Sequence, residues 1–122
     1  MKSKNWPESF GHALRGIVHT IKNERNFRIQ MIFGILTVIA CIILRVETWQ
    51  FALVIVAIFF VLATELINTA VEAIADLCTK GEFHPLAKTA KDAAAGAVLL
   101  ASVFAVVVGA VVAVSVIRGF LQ

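Results

Sequence analysis

Charged residues vanish from three stretches of the chain, 29–44, 48–64 and 93–117, which are filled instead with Ile, Leu, Val, Ala and Phe. A bilayer core of ~30 Å needs roughly 20 residues of helix, so 93–117 crosses it outright. The first stretch is short, and Arg28 and Arg45 at its ends are predicted to snorkel toward the headgroups. The second reaches full length only by taking in part of the sequence ATELINTAVEAIADL, residues 63–77. The pattern predicts three membrane spans, at 29–47, 48–77 and 85–120. RVETWQ between the first two has room only for a tight turn, with Trp49 at interface depth, which makes them an antiparallel hairpin. Before the third, Gly81 offers a left-handed helix end and Pro85 a first-turn position.

Ahead of the first span the period changes. Phe10, Leu14, Ile17, Val18 and Ile21 recur at helical spacing, Pro7 suits a first turn and Glu8 its positive end. This predicts an amphipathic helix over 7–28 lying in the membrane interface, with His12, Arg15, His19 and Lys22 on its polar face. Continued to Glu24, that helix carries a carboxylate about 40° from Phe10, inside the apolar stripe, where it needs a partner. The fold class is therefore an all-α integral membrane protein, a single domain over 1–122 with a surface helix and three transmembrane helices.

Composition agrees. In 122 residues, 60% are hydrophobic, more than a small soluble domain hides in its core. The net charge of +3 is sorted by topology. Lys2, Lys4, Arg15, Lys22, Arg25 and Arg28 precede the first span, and Lys80, Lys88 and Lys91 lie between the second and third; Arg45 and Arg118 face them across the membrane. The basic residues predict a multi-pass membrane protein with its N-terminus and 78–92 loop cytoplasmic, not a nucleic-acid binder. Residues 1–30 hold no apolar run with a cleavage site, so no cleaved signal is expected. Cys41 and Cys78 are expected to be unpaired packing residues, since one lies mid-span and the other at a helix end.

The candidate chemistry sits where the second span turns polar. Glu65, Asn68, Glu72 and Asp76 stand at i, i+3, i+7 and i+11, within about 80° of one another, along about 16 Å of helix. An ionisable group at the bilayer centre costs ~2.5 to 3.5 kcal/mol on insertion scales, so such a row needs a reason. A seam holding an oligomer together calls for amides and hydroxyls rather than repelling carboxylates. Hard divalent cations call for carboxylates, and Mg²⁺ typically takes one or two while nucleotide phosphates and water complete its shell. Glu72 and Glu24 are the candidates, with Lys91 as phosphate partner and Asp92 beside it. The AKD sequence also suits an ordinary positive anchor, and His84 next to Pro85 suits a solvated turn. Neither GxxxxGK[ST] nor GxGxxG nor a zinc-site spacing occurs.

NERNFR, ELINTAVEAIADL and HPLAKTAKDAAAGAVLL, in that order, resemble the bacterial diacylglycerol kinase family, small three-span lipid kinases, over about residues 8–115. The HPLAK and KDAAAGAVL wording is similar to the Gram-positive branch described as undecaprenol kinases. The resemblance implies Glu65 as catalytic base at the lipid acceptor, and Glu24 and Glu72 as holders of Mg²⁺ with ATP. It implies Asn68, Asp76, Lys91 and Asp92 as further parts of the ATP site, and places Glu82, Phe83 and His84 in a loop that also contacts nucleotide. His12 stands where some members have a nucleotide-contacting tyrosine. A homotrimer with shared active sites is implied too, and the small-residue face at 93–97 is where a close helix contact is expected.

The expected function is thus an ATP- and Mg²⁺-dependent kinase acting on undecaprenol at the cytoplasmic interface. Diacylglycerol is the alternative acceptor within the class. A small proton-coupled transporter would also hold a membrane glutamate such as Glu65, but would not explain Glu24, Glu72, Lys91 and Asp92 together. A purely structural subunit predicts that amides at 65 and 72 leave function intact.

Overall fold

The computed structural model describes residues 5–121, so Lys2 and Lys4, counted above toward orientation, lie outside the described residues. Four helices follow in order: α1 (Trp6–Asn23), α2 (Arg25–Ile43), α3 (Thr48–Thr79) and α4 (Pro85–Phe120). The last three are long and apolar enough to cross a membrane.

Asn5 caps α1, its side chain accepting from the Glu8 amide at 3.1 Å, and Pro7 occupies the first turn. Phe10, Leu14, Ile17 and Val18 lie exposed along one face, as an interfacial helix requires. The predicted helix over 7–28 is corrected in one respect: α1 stops at Asn23, and Glu24 is extended, at φ −99° and ψ 113°. Helical continuation would push the Glu24 carboxylate into the apolar stripe, and the break at this residue takes it out. The result is an elbow. Arg28 turns back at the same place, its guanidinium donating to the carbonyls of Ile21 (3.0 Å) and Lys22 (2.9 Å).

The α2–α3 hairpin closes as expected. Arg45 takes a left-handed φ of 50°, and Glu47 and Gln50 form a reciprocal capping box at the start of α3. Gln50, 2% exposed, also donates to Ser115 Oγ at 2.8 Å and so pins α3 to α4. Below it, Cys41, Val54, Ala57, Val108 and Val112 form the core shared by α2, α3 and α4. Cys41 and Cys78 are both free, as expected; Cys41 packs in the core, but Cys78 is exposed near the end of α3, which corrects its expected packing role. Outside this thin core, Phe33, Leu36, Phe59, Leu99 and Leu100 remain exposed, a surface suited to lipid tails.

α3 and α4, with 32 and 36 residues, are about 48 Å and 54 Å long, well beyond the ~30 Å hydrocarbon core. The polar row lies in the half of α3 that leads to the loop joining it to α4. Lys80 and Gly81, both left-handed, end α3 by directing their amides to the Asp76 carbonyl. His84 then caps α4, its Nδ1 accepting from the Leu86 amide at 3.2 Å. Within the chain, the tightest glycine contact joins α2 to α3: a Cβ on Gly34 would lie 2.9 Å from Ile58 Cγ2, whereas one on Gly96 would meet nothing within 4 Å, so the small-residue face at 93–97 stays open.

Candidate active site at the membrane interface

Glu65 is the buried member of the polar row, 4% exposed on a helix that faces lipid elsewhere. Its Oε2 accepts from Gln30 Nε2 at 3.1 Å, a contact that crosses from α2 to α3. A carboxylate only accepts, so the amide must present its nitrogen to Glu65. The buried Gln30 Oε1 is thereby left with no hydrogen-bond donor. Gln30 also lines one end of a cavity of about 410 Å³ between α2, α3 and α4, walled by Phe33, Gly34, Ala57, Ile58 and Ala105. A polar pair therefore sits at the head of an apolar groove.

The same forced geometry recurs one turn beyond. Asn68 Nδ2 donates to Glu72 Oε1 at 3.0 Å, and the buried Asn68 Oδ1 is left without a donor. Antiparallel register relates this pair to the elbow. From the Gln30–Glu65 contact, Glu24 lies six residues back along the chain and Glu72 seven residues on, about 9 Å and 10 Å of helix rise, so the two glutamates come level. Glu24 is half-buried and its carboxylate caps no amide of α2. No group of three His, Cys, Asp or Glu converges among the described residues.

Oxygen donors alone, two of them carboxylates, with the unpartnered Asn68 Oδ1 beside one, fit a hard cation whose remaining ligands are phosphates and water. Glu65 lies about 10 Å from the Glu72 level along the axis of α3.

The remaining sequence-derived residues are distributed differently. Lys91 Nζ meets Asp76 Oδ1 at 2.6 Å across α3 and α4, so its charge is held by the last acid of the row. Asp92 pairs with Lys88 one turn back rather than with its neighbour. Both pairs are exposed enough to contribute only about 0–1 kcal/mol, which leaves either lysine able to exchange its partner for a phosphate. Glu82, Phe83 and His84 lie exposed in the connecting loop. His12, on the exposed face of α1, engages Arg15 (2.8 Å) and faces Glu8 (3.8 Å).

Gln30 and Arg28 are the residues that sequence reading missed as parts of the site. Gln30 had left a signal, being the one carboxamide in the uncharged stretch 29–44. Nothing in the sequence marks Arg28 as reaching backward.

Comparison with known proteins gives the site its context. The profile of the prokaryotic diacylglycerol kinase family matches residues 11–113. A diacylglycerol kinase of Synechocystis sp. is 42% identical over 101 residues, covering 83% of this chain and 58% of that protein. An undecaprenol kinase of Bacillus subtilis is 38% identical over 102 residues, covering 84% and 82%. A diacylglycerol kinase of Escherichia coli K12 is 32% identical over 97 residues, covering 80% and 79%. Three apolar helices, a row of acids on one face of the second of them and these matches lead to one conclusion: the chain belongs to the prokaryotic diacylglycerol kinase family of membrane lipid kinases.

Proposed function

We propose that this protein transfers the γ-phosphoryl group of ATP to the hydroxyl of undecaprenol at the cytoplasmic face of a bacterial plasma membrane. The observation that carries the site assignment is the vertical division of the polar row. Glu65 is buried with Gln30, while Asn68 and Glu72 stand about 4.5 Å and 10 Å further along α3, toward the end that joins α4. ATP arrives from water and a lipid alcohol from the bilayer, so a kinase joining them needs polar groups at both depths.

Phosphoryl transfer asks mainly for positioning and charge neutralisation. Glu24 and Glu72 would hold Mg²⁺ with the ATP phosphates, Asn68 orienting Glu72 through its Nδ2. Bound there, the ion supplies neutralisation of the charge that builds on the phosphate oxygens. Lys91, released from Asp76, adds a positive charge on the α4 side, with Asp92 and the 82–84 loop beside the nucleotide. Glu65 accepts the proton of the acceptor hydroxyl as its oxygen bonds to the γ-phosphorus. The bond from that phosphorus to the β-γ bridging oxygen breaks, and ADP leaves. Gln30 fixes Glu65 through Oε2, leaving its other oxygen for the substrate, and the groove below Gln30 suits the hydrocarbon chain of the acceptor. A homotrimer with shared sites would cover much of the apolar surface a single chain leaves open.

Similarity to the Bacillus subtilis undecaprenol kinase supports the polyprenol acceptor. Similarity to the Synechocystis and Escherichia coli diacylglycerol kinases favours diacylglycerol as the second reading. Purified protein in mixed micelles, offered both alcohols with labelled ATP and Mg²⁺, separates them. Label entering mainly undecaprenol supports the proposal; label entering mainly diacylglycerol replaces the acceptor and keeps the site.

A further inference from the structure

Where α1 stops, its last carbonyls lose their helical partners, because the chain turns out of the helix at Glu24. The Thr20 carbonyl is still served by the Glu24 amide at 2.8 Å. Those of Ile21 and Lys22 are served by one guanidinium nitrogen, Nη1 of Arg28, at 3.0 Å and 2.9 Å. The placement is electrostatically apt for α1, whose C-terminal end carries partial negative charge. It is unfavourable for α2, whose own first turn holds Arg28 and Arg25 and no acid. Arg28 therefore serves the joint rather than the helix on which it stands.

The joint is anchored on both sides. Thr20 in α1 and Phe27 in α2 are buried, at 4% and 2% exposure, and Glu24 lies half-buried between them. The Arg28 amide also bonds to the Glu24 carbonyl at 3.3 Å. Backbone and side chain of Arg28 thus hold the chain on either side of Glu24, while the Glu24 carboxylate caps no amide of α2 and is free to point elsewhere.

We infer that Arg28 is a positioning residue: its guanidinium clamps the α1–α2 elbow and thereby sets the reach of Glu24 toward the Glu72 cation position. This rests on the proposed metal role of Glu24. A lysine at 28 retains the charge but has no planar fork, and grips the two carbonyls less well. Groups that orient metal-binding residues typically change metal affinity about 10- to 100-fold when removed.

The test is a titration of purified protein with Mn²⁺, followed by electron paramagnetic resonance in the presence of a non-hydrolysable ATP analogue. It compares wild type, Arg28→Ala, Arg28→Lys and Glu24→Gln. The expected result is binding about 10-fold weaker in Arg28→Ala, with Arg28→Lys between it and wild type. In turnover, the Mg²⁺ concentration for half-maximal rate rises in parallel while KM for the lipid acceptor stays unchanged, a split that general loosening of the fold does not produce. Wild-type Mn²⁺ affinity in both Arg28 variants, with weakened binding in Glu24→Gln, overturns the clamp alone. Unchanged binding in Glu24→Gln as well overturns the metal role of Glu24, and the clamp with it.

Discussion

Gly34→Ala is a one-methyl change whose effect follows from a single distance. A Cβ at Gly34 would lie 2.9 Å from Ile58 Cγ2, with Ile58 Cγ1 and Cδ1 at 3.7 and 3.8 Å. The first contact is about 0.6 Å shorter than the ~3.5 Å at which carbon atoms rest. Ile58 cannot swing aside, because Cγ2 is fixed to a β-branched carbon whose χ1 is nearly single-valued in a helix. The helices must separate instead. Alanine gains about 1 kcal/mol of helix propensity over glycine, while overpacking costs typically about 1–3 kcal/mol. The clash is expected to win, for a net loss of about 1 kcal/mol or slightly more. Gly34 is also one turn from Gln30 on α2, so the separation weakens the Gln30–Glu65 contact and lowers activity together with stability. The assay is a double-mutant cycle in reversible unfolding by sodium dodecyl sulfate in mixed micelles. Truncating Ile58 to alanine removes Cγ2, so Gly34→Ala should be harmless or stabilising in the Ile58→Ala background. An equal loss in both backgrounds would refute the steric reasoning.

Other consequences can be read from single contacts. Gln50→Leu should destabilise the protein by about 1–3 kcal/mol in the same unfolding assay, because it removes the buried side chain's half of a capping box and leaves the partly buried Ser115 Oγ without its Gln50 donor. Gln30→Leu should lower kcat at least about 10-fold without changing the Mg²⁺ dependence, since it frees Glu65 and leaves the Glu72 level untouched. Asp76→Asn should leave stability within about 1 kcal/mol of wild type, because the Lys91 pair it weakens is largely exposed; circular-dichroism melts check this.

Periodicity and charge made most of the architecture legible in advance. The three spans and the tight turn at Arg45 follow from where charge is absent and where there is no room for a loop. The row from Glu65 to Asp76 was legible for the same reason, since four polar residues on one face of an apolar helix are costly. The end of α1 was not. A helical period continues through Arg28 on paper, with Glu24 in the apolar stripe as the one sign of conflict, and the burial of Thr20 and Phe27 shows that the chain resolves it by bending between them. Pairings such as Gln30 with Glu65, or Lys91 with Asp76, depend on the register between helices, which no pattern within one helix contains. The close approach of α2 to α3 at Gly34 was hidden for the same reason: a glycine permits contact, but the opposing helix decides where it occurs.

The central claim is that one row of polar residues divides its work by depth, with phosphate and metal held at the Glu72 level and the lipid hydroxyl activated at Glu65. The most direct measurement compares Glu65→Gln and Glu72→Gln with wild type in two assays, transfer of labelled phosphate to a lipid alcohol and binding of Mn²⁺ with an ATP analogue. Glu65→Gln should lose about 10²- to 10⁴-fold in transfer and still bind Mn²⁺ and nucleotide as wild type does, whereas Glu72→Gln should lose both. Transfer at the wild-type rate in Glu65→Gln, or undiminished Mn²⁺ binding in Glu72→Gln, would contradict the division of the site.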